Sequence, residues 1–142
     1  MSDYRKNCEG YPDPTAVIAI QRADRKPGRR YMPMTYICSR YAGNVERNRS
    51  DAIRFCRFAI EKGFMPVASH LLYPQILSDD VADERTLGLR FGTLLLDRCE
   101  EVWVFTDGTL SPGMEMEVRR AKKRRMKIRY FDLSCAEREA VP

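Results

Sequence analysis

A chain of 142 residues with a 44% hydrophobic content is long enough to bury one real core and too short for two. Its formal charge of +5 favours encounter with anions, and no apolar run approaches the roughly 20 residues that a bilayer-spanning helix needs. Five widely spaced cysteines (Cys8, Cys38, Cys56, Cys99 and Cys135), with no Cys-x-x-Cys pair, argue against a disulfide frame or zinc site and for free thiols in a reducing compartment.

The opening Met-Ser-Asp-Tyr-Arg-Lys-Asn lacks an apolar signal core, so the expectation is a cytoplasmic protein with no membrane partner. No motif asks for a metal or an organic cofactor. Residues 1–30 are polar, carry Pro12, Pro14, Pro27 and Gly28, and read as an appendage. Within them Asp13-Pro14 resembles an N-cap followed by proline at the first helical position. A short helix from about Thr15 to Arg25 follows, with Val17, Ile18 and Ile20 as a weak apolar face that docks on the body or on a partner. Lys26-Pro27-Gly28 ends it.

Tyr31 to Cys38 is the first convincing strand and stops at the polar loop Ser39–Asn44. From Val45 to Lys62 the apolar residues Ile53, Phe55, Cys56, Ala59 and Ile60 recur at helical spacing, and Gly63 closes the helix. Phe64 to Ser69 is a second strand, with Pro66 pointing to an edge position or a strand start. His70 to Leu77 is irregular or briefly helical. Asp83 to Asp97 reads as a helix with Leu87, Phe91, Leu94 and Leu95 on its inner side. Val102–Phe105 is the next strand, Pro112 to Arg125 the next helix, and Lys127–Phe131 the last strand.

Strands alternating with helices imply parallel βαβ units. The expected fold is therefore α/β, a Rossmann/flavodoxin-like three-layer sandwich with a mostly parallel sheet of four to five strands. It occupies residues 31–134, and 135–142 read as a C-terminal tail.

In such a sheet ligands bind at the carboxyl ends of the strands. Two loops should meet there, Ser39–Asn44 and Asp107–Gly113, with His70 on the same edge just past the second strand. The second loop carries the densest signal. Trp103-Val104-Phe105 is a buried strand, and Ser111-Pro112-Gly113 feeds a helix whose N–H groups and dipole favour an anion. Candidate ligand contacts are thus Ser39, Arg40, Gly43, Asn44, His70, Ser111 and Gly113. A lone histidine also serves as a structural hydrogen-bonder, and Asp107 in Thr-Asp-Gly also serves as a turn residue.

Between Arg119 and Arg129 the chain is densely basic: Arg119, Arg120, Lys122, Lys123, Arg124, Arg125, Lys127 and Arg129. This is either a nucleic-acid patch or the solvated face of a helix whose C-terminal cations complement its dipole. Without interleaved aromatics as stacking platforms, the helix face is favoured and nucleic acid is the lesser partner.

Several segments together resemble the nucleoside 2-deoxyribosyltransferase-like superfamily, most of all its small phage- and mobile-element-associated branch. They are Tyr36-Ile-Cys-Ser39, then Pro66…His70-Leu-Leu-Tyr-Pro74, Cys99-Glu-Glu-Val-Trp-Val-Phe, and Ser111-x-Gly-x-x-x-Glu117-x-x-x-Ala121. The resemblance covers about Tyr31 to Asp132, and the last motif is its most specific part. It implies that Glu117 attacks the anomeric carbon of a deoxyribose and that Ser111 and nearby amides hold a 5′-phosphate. Glu115, two residues before, turns away on a helix.

Relatives carry a second acid on the preceding helix, near the position of Gly92 here. That acid is missing, and Asp107 is the substitute expected to act with Glu117. Relatives also assemble into oligomers that complete the pocket. The helix bearing Leu87, Leu89, Phe91, Leu94 and Leu96 is apolar on more than one side, which predicts a homo-oligomer interface.

Three functions stay open: an N-glycosidase or deoxyribosyltransferase using Glu117, a nucleotide-binding sensor or adaptor without catalysis, and a nucleic-acid accessory protein using the basic run.

Overall fold

The computed structural model describes residues 31–139. The expectations for Cys8 and for the short helix and its docking face lie outside the described residues. In chain order the elements are β1 (Met34–Cys38), α1 (Val45–Glu61), β2 (Met65–Val67) and a one-turn α2 (Ser69–Leu72) with a 3-10 turn at Tyr73–Gln75. There follow α3 (Ala82–Arg98), β3 (Glu101–Phe105), α4 (Pro112–Lys123), β4 (Lys127–Phe131) and β5 (Glu137–Arg138). The protein is α/β, with a five-stranded, mostly parallel sheet in the order β2-β1-β3-β4-β5. Only β5 runs antiparallel, against β4. Among the described residues no helix is long and apolar enough to cross a membrane.

Burial explains why β3 sits at the centre. All five of its residues are buried, and a strand covered on both faces needs apolar side chains at successive positions, which Val102-Trp103-Val104-Phe105 provides. Period-2 alternation then divides the core. Tyr36, Cys38, Val102 and Val104 pack against Leu96 of α3 and against Met114, Val118 and Ala121 of α4. Ile37, Trp103, Phe105 and Phe131 face the other way, onto Phe55 and Ala59 of α1. Phe55 and Phe105 stack with ring centroids 4.1 Å apart. Full burial of side chains of this size stabilises by about 1.5–3 kcal/mol each.

Local chemistry sets the helix ends. The Asn44 side chain accepts from the Arg47 N–H at 3.2 Å and starts α1. Gly63, at φ +86°, follows α1. The Gly63 and Phe64 N–H groups bond the Ile60 and Ala59 carbonyls at 3.0 Å each, satisfying late carbonyls of the helix. Ser111 caps α4 and Pro112 occupies its first turn.

Three expectations need correction. The innermost residues of α3 are Gly92 and Leu96. Leu87 and Leu94 are 40% and 43% exposed, while Leu95 does pack on the core. A helix apolar nearly all round has no unique inner face by sequence, and contact with the sheet selects one. The sheet also extends into the segment read as a tail, where β5 pairs with β4 through Tyr130–Arg138 and Phe131–Glu137. Finally, β1 starts at Met34 and β2 shrinks to Met65–Val67, an edge strand as Pro66 suggested.

Four of the eight residues of the basic run make ion pairs, although most of the run is exposed. Arg120 makes a bidentate pair with Asp97 at 2.9 and 2.7 Å, and Arg124 reaches the same carboxylate at 3.2 Å, tying α4 to α3. Lys127 pairs with Glu101 at 3.4 Å. Arg129 pairs with Glu137 at 2.8 Å and lies 4.7 Å from the Trp103 ring centroid. Arg119, Lys122, Lys123 and Arg125 are exposed.

Candidate functional site

The chain leaves β1 through Ser39–Asn44 and enters α1 on one face of the sheet. It leaves the neighbouring strand β3 through Thr106–Ser111 and enters α4 on the other face. Connections that part to opposite faces leave a crevice at the carboxyl ends of the two strands. The crevice has a volume of about 380 Å³, and its walls include Ser39, Arg40, Gly43, Asn44, Arg47, Thr106, Asp107 and Thr109, with Phe55 and Phe105 below. Strand order therefore brings together four of the expected ligand residues, Ser39, Arg40, Gly43 and Asn44, and Asp107 with them.

Each has a defined setting. Gly43 holds φ +99° with open space around its missing Cβ, so the glycine serves the backbone turn rather than packing. Asn48 donates to the Tyr41 and Ala42 carbonyls at 2.9 and 3.0 Å and fixes the loop. Arg40 crosses the crevice and donates to Thr109 Oγ1 at 3.2 Å. His70 lies in α2, with Nε2 3.2 Å from Ser39 Oγ. Burial lowers its pKa to about 4, so at neutral pH it is an uncharged hydrogen-bonding partner.

Asp107 does not join Glu117. Its carboxylate accepts from the Thr109 N–H at 3.1 Å and the Thr109 hydroxyl at 2.9 Å. Those bonds hold it below the usual carboxylate range. It is a turn residue in its own loop, and the expected pairing of two acids is corrected accordingly. Ser111 and Gly113 are not among the crevice walls. The Ser111 hydroxyl accepts the Met114 N–H at 3.3 Å as the helix cap, and Gly113 stands in open space.

Glu117 is not among the crevice walls; it is largely buried between α4 and the sheet. The Tyr36 hydroxyl donates to its Oε1 at 2.9 Å. That phenol oxygen lies 2.8 Å from Ser69 Oγ, which donates to it in turn. The Cys38 thiol flanks the same carboxylate; burial and the Glu117 charge push its pKa well up. Burial raises Glu117 itself to about 7, against the opposing effect of the Cys38 and Tyr36 hydrogen bonds. Glu115 is exposed, as the helical spacing predicted.

Gly92 faces this cluster. A Cβ built there would lie 3.2 Å from Ser69 Oγ and 3.5 Å from the Tyr36 hydroxyl. The position expected of the second acid is thus adjacent to Glu117's partners, and two hydroxyls fill the space. Sequence reasoning missed Tyr36 and Ser69. Tyr36 shares a strand face with Cys38 by period-2 alternation, which was a usable signal; nothing local marked Ser69.

Residues 33–131 match the model of a family described as a domain of unknown function (DUF7768). The chain belongs to that family. The DUF7768 match runs from the residue before β1 to the end of β4, so it takes in both crevice loops, Tyr36, Ser69, Gly92 and Glu117, and leaves out β5. No curated protein matches the chain.

Proposed function

We propose that this DUF7768 domain binds a nucleoside or nucleoside monophosphate at the carboxyl edge of its sheet and cleaves or transfers at the N-glycosidic bond with Glu117 as nucleophile. The observation that carries this reading is the setting of Glu117, a carboxylate oriented by Tyr36 and pushed up to about 7 by burial. A carboxylate strongly perturbed by burial and held by a specific partner is a candidate for a reactive group. Cleaving a glycosidic bond passes through an oxocarbenium-like sugar, which a fixed carboxylate stabilises or traps.

Two further observations support it. The order β2-β1-β3-β4-β5 is that of flavodoxin-like doubly wound sheets, whose ligands sit at the β1/β3 divergence. Glu117 also stands at the position that the Ser-x-Gly-x-x-x-Glu motif gives the nucleophile in the deoxyribosyltransferase-like superfamily. In this reading Ser39, Arg40, Gly43, Asn44 and His70 shape the ligand pocket, and Ser111 and Gly113 offer the α4 start to a phosphate. A second copy covers α3, where Leu87, Leu89 and Leu94 are exposed. Unpaired Cys38, Cys56, Cys99 and Cys135 suit a reducing compartment such as the cytoplasm.

One observation favours a binding-only reading: among the described residues, Gly92 and the engaged Asp107 leave Glu117 without a second acid. Incubation with deoxynucleosides and their monophosphates separates the two. Released free base that disappears in Glu117→Ala identifies the enzyme, and thermal stabilisation by a ligand that is never cleaved identifies the sensor.

A further inference from the structure

We propose that Ser69 is a positioning residue for Glu117, acting through the Tyr36 hydroxyl from a seat that glycine at position 92 leaves open. Its consequence for turnover rests on the N-glycosidic reading of Glu117, while its effect on the charge of that carboxylate does not.

Two consecutive residues of α2 reach β1 and the loop that leaves it. Ser69 Oγ lies 2.8 Å from the Tyr36 hydroxyl, and His70 Nε2 lies 3.2 Å from Ser39 Oγ. A helix of four residues has few bonds of its own, so these side chains fix where it sits. The Tyr36 proton goes to Glu117 Oε1 at 2.9 Å, so Ser69 supplies the proton shared with the phenol oxygen. A phenol that accepts a hydrogen bond becomes a stronger donor. Burial and the Glu117 charge hold the Tyr36 pKa well up, and the Ser69 bond pulls it down. The chain of bonds from Ser69 through Tyr36 therefore favours the ionised form of Glu117.

Gly92 makes this arrangement possible. It is buried in the interior of the 17-residue α3, where glycine is a poorer helix former than alanine. Its φ lies outside the left-handed region, so the backbone does not call for it. The close approach of α2 does. A Cβ at position 92 would stand 3.2 Å from Ser69 Oγ, 3.6 Å from Ser69 Cβ and 3.5 Å from the Tyr36 hydroxyl. The first of these is tighter than ordinary contact, and a methyl there would push the Ser69 hydroxyl off the phenol.

Among the described residues, the titratable groups that bear on Glu117 are Cys38 and Tyr36 of β1. Beside them α2 presents Ser69 and α3 presents Gly92, while His70 turns to Ser39. Removing the Ser69 hydroxyl thus weakens one of the two donors that oppose the effect of burial on the carboxylate.

The test titrates the Glu117 carboxyl by carbon NMR in the full chain, with thermal unfolding of each variant alongside. Ser69→Ala should raise the Glu117 pKa by about half a pH unit, Ser69→Thr should restore it, and Gly92→Ala should reproduce the rise. In a Tyr36→Phe background, adding Ser69→Ala should shift nothing further, because the effect passes through the phenol. A role in packing alone would move the melting temperature and leave the titration in place. An unshifted titration in folded Ser69→Ala overturns the proposal, as does a full-sized shift in the Tyr36→Phe background. Should Ser69→Ala not fold, Gly92→Ala, which keeps every side chain of the cluster, decides by the same titration. Base release from deoxynucleoside monophosphates at pH 6 should fall about three-fold in Ser69→Ala and match the wild type at pH 9. No base release from the wild type removes the N-glycosidic reading, and the titration still decides the role of Ser69.

Discussion

Tyr36 and Glu117 stand 81 positions apart in the chain and 2.9 Å apart in the fold, joined by a hydrogen bond from phenol to carboxylate. The bond spans two elements that meet only because α4 packs on the face of β1 that also carries Cys38. It favours the ionised carboxylate while burial opposes it. Removing the donor with Tyr36→Phe should therefore raise the Glu117 pKa further and cost about 1–2 kcal/mol, since Ser69 also loses a partner. Carboxyl-carbon NMR titration of Glu117, with urea unfolding alongside, reads both effects. An unchanged titration would show that the bond does not set the carboxylate's charge.

Glu117 also makes stability depend on pH. Its folded pKa of about 7 lies above the ordinary 4.5, so its contribution is fully present below pH 4.5 and is lost as pH rises through 7. Glu117→Gln should be more stable than the wild type at pH 8–9, by on the order of 2–3 kcal/mol. The advantage should shrink toward zero at pH 5. Paired melting curves at the two pH values test this; a difference independent of pH contradicts it.

His70 acts in the opposite direction. Burial lowers its pKa from 6.5 to about 4, so its contribution is present above pH 6.5 and is lost as pH falls through 4. Replacing it by glutamine, which keeps a polar group near Ser39, should flatten the acid limb of the stability profile between those limits. If the acid limb is as steep as before, other groups set it.

Under the proposed chemistry, turnover follows ionised Glu117 and rises with pH through about 7. The groups facing it are Tyr36 and Cys38 from β1, both pushed well above their usual values by burial. A limb rising through about pH 7 is expected for base release from a deoxynucleoside monophosphate. A profile that is flat through pH 7 would show that ionisation of Glu117 does not govern turnover.

Exposed Leu87, Leu89 and Leu94 on α3 lead to a further expectation. Light scattering should show a multimer at micromolar concentration, and Leu89→Glu, at a position 60% exposed, should shift it toward monomer without lowering the melting temperature of the isolated subunit. A concentration-independent monomer in the wild type removes the interface.

Periodicity was enough to place most of the fold. The Val102–Phe105 run marked a doubly buried strand, helical spacing marked α1 to within a residue, and Ser111-Pro112 marked the start of α4. These features are local, set by side-chain alternation and by backbone groups that need caps. The crevice loops followed from the same logic, because strand order alone decides which turns share an edge. Likewise the two-residue spacing turned Glu115 outward and Glu117 inward.

What lay beyond reach depended on partners distant in sequence. The inner face of α3 was ambiguous because leucines surround it, and only packing against Leu96's neighbours on β1 and β3 selected Gly92. β5 is two residues long, and its pairing is supported by Arg129–Glu137 and Asp132–Arg138 rather than by any apolar pattern. Asp107 is the same residue whether it serves a turn or a substrate, and the Thr109 contacts decided for the turn. The sequence by itself determined that a carboxylate would stand at position 117 on the inward side of the helix that follows the buried strand. The tertiary structure decided its surroundings, since burial and the directions of the Tyr36 and Ser69 hydrogens arise only where β1, α2, α3 and α4 converge.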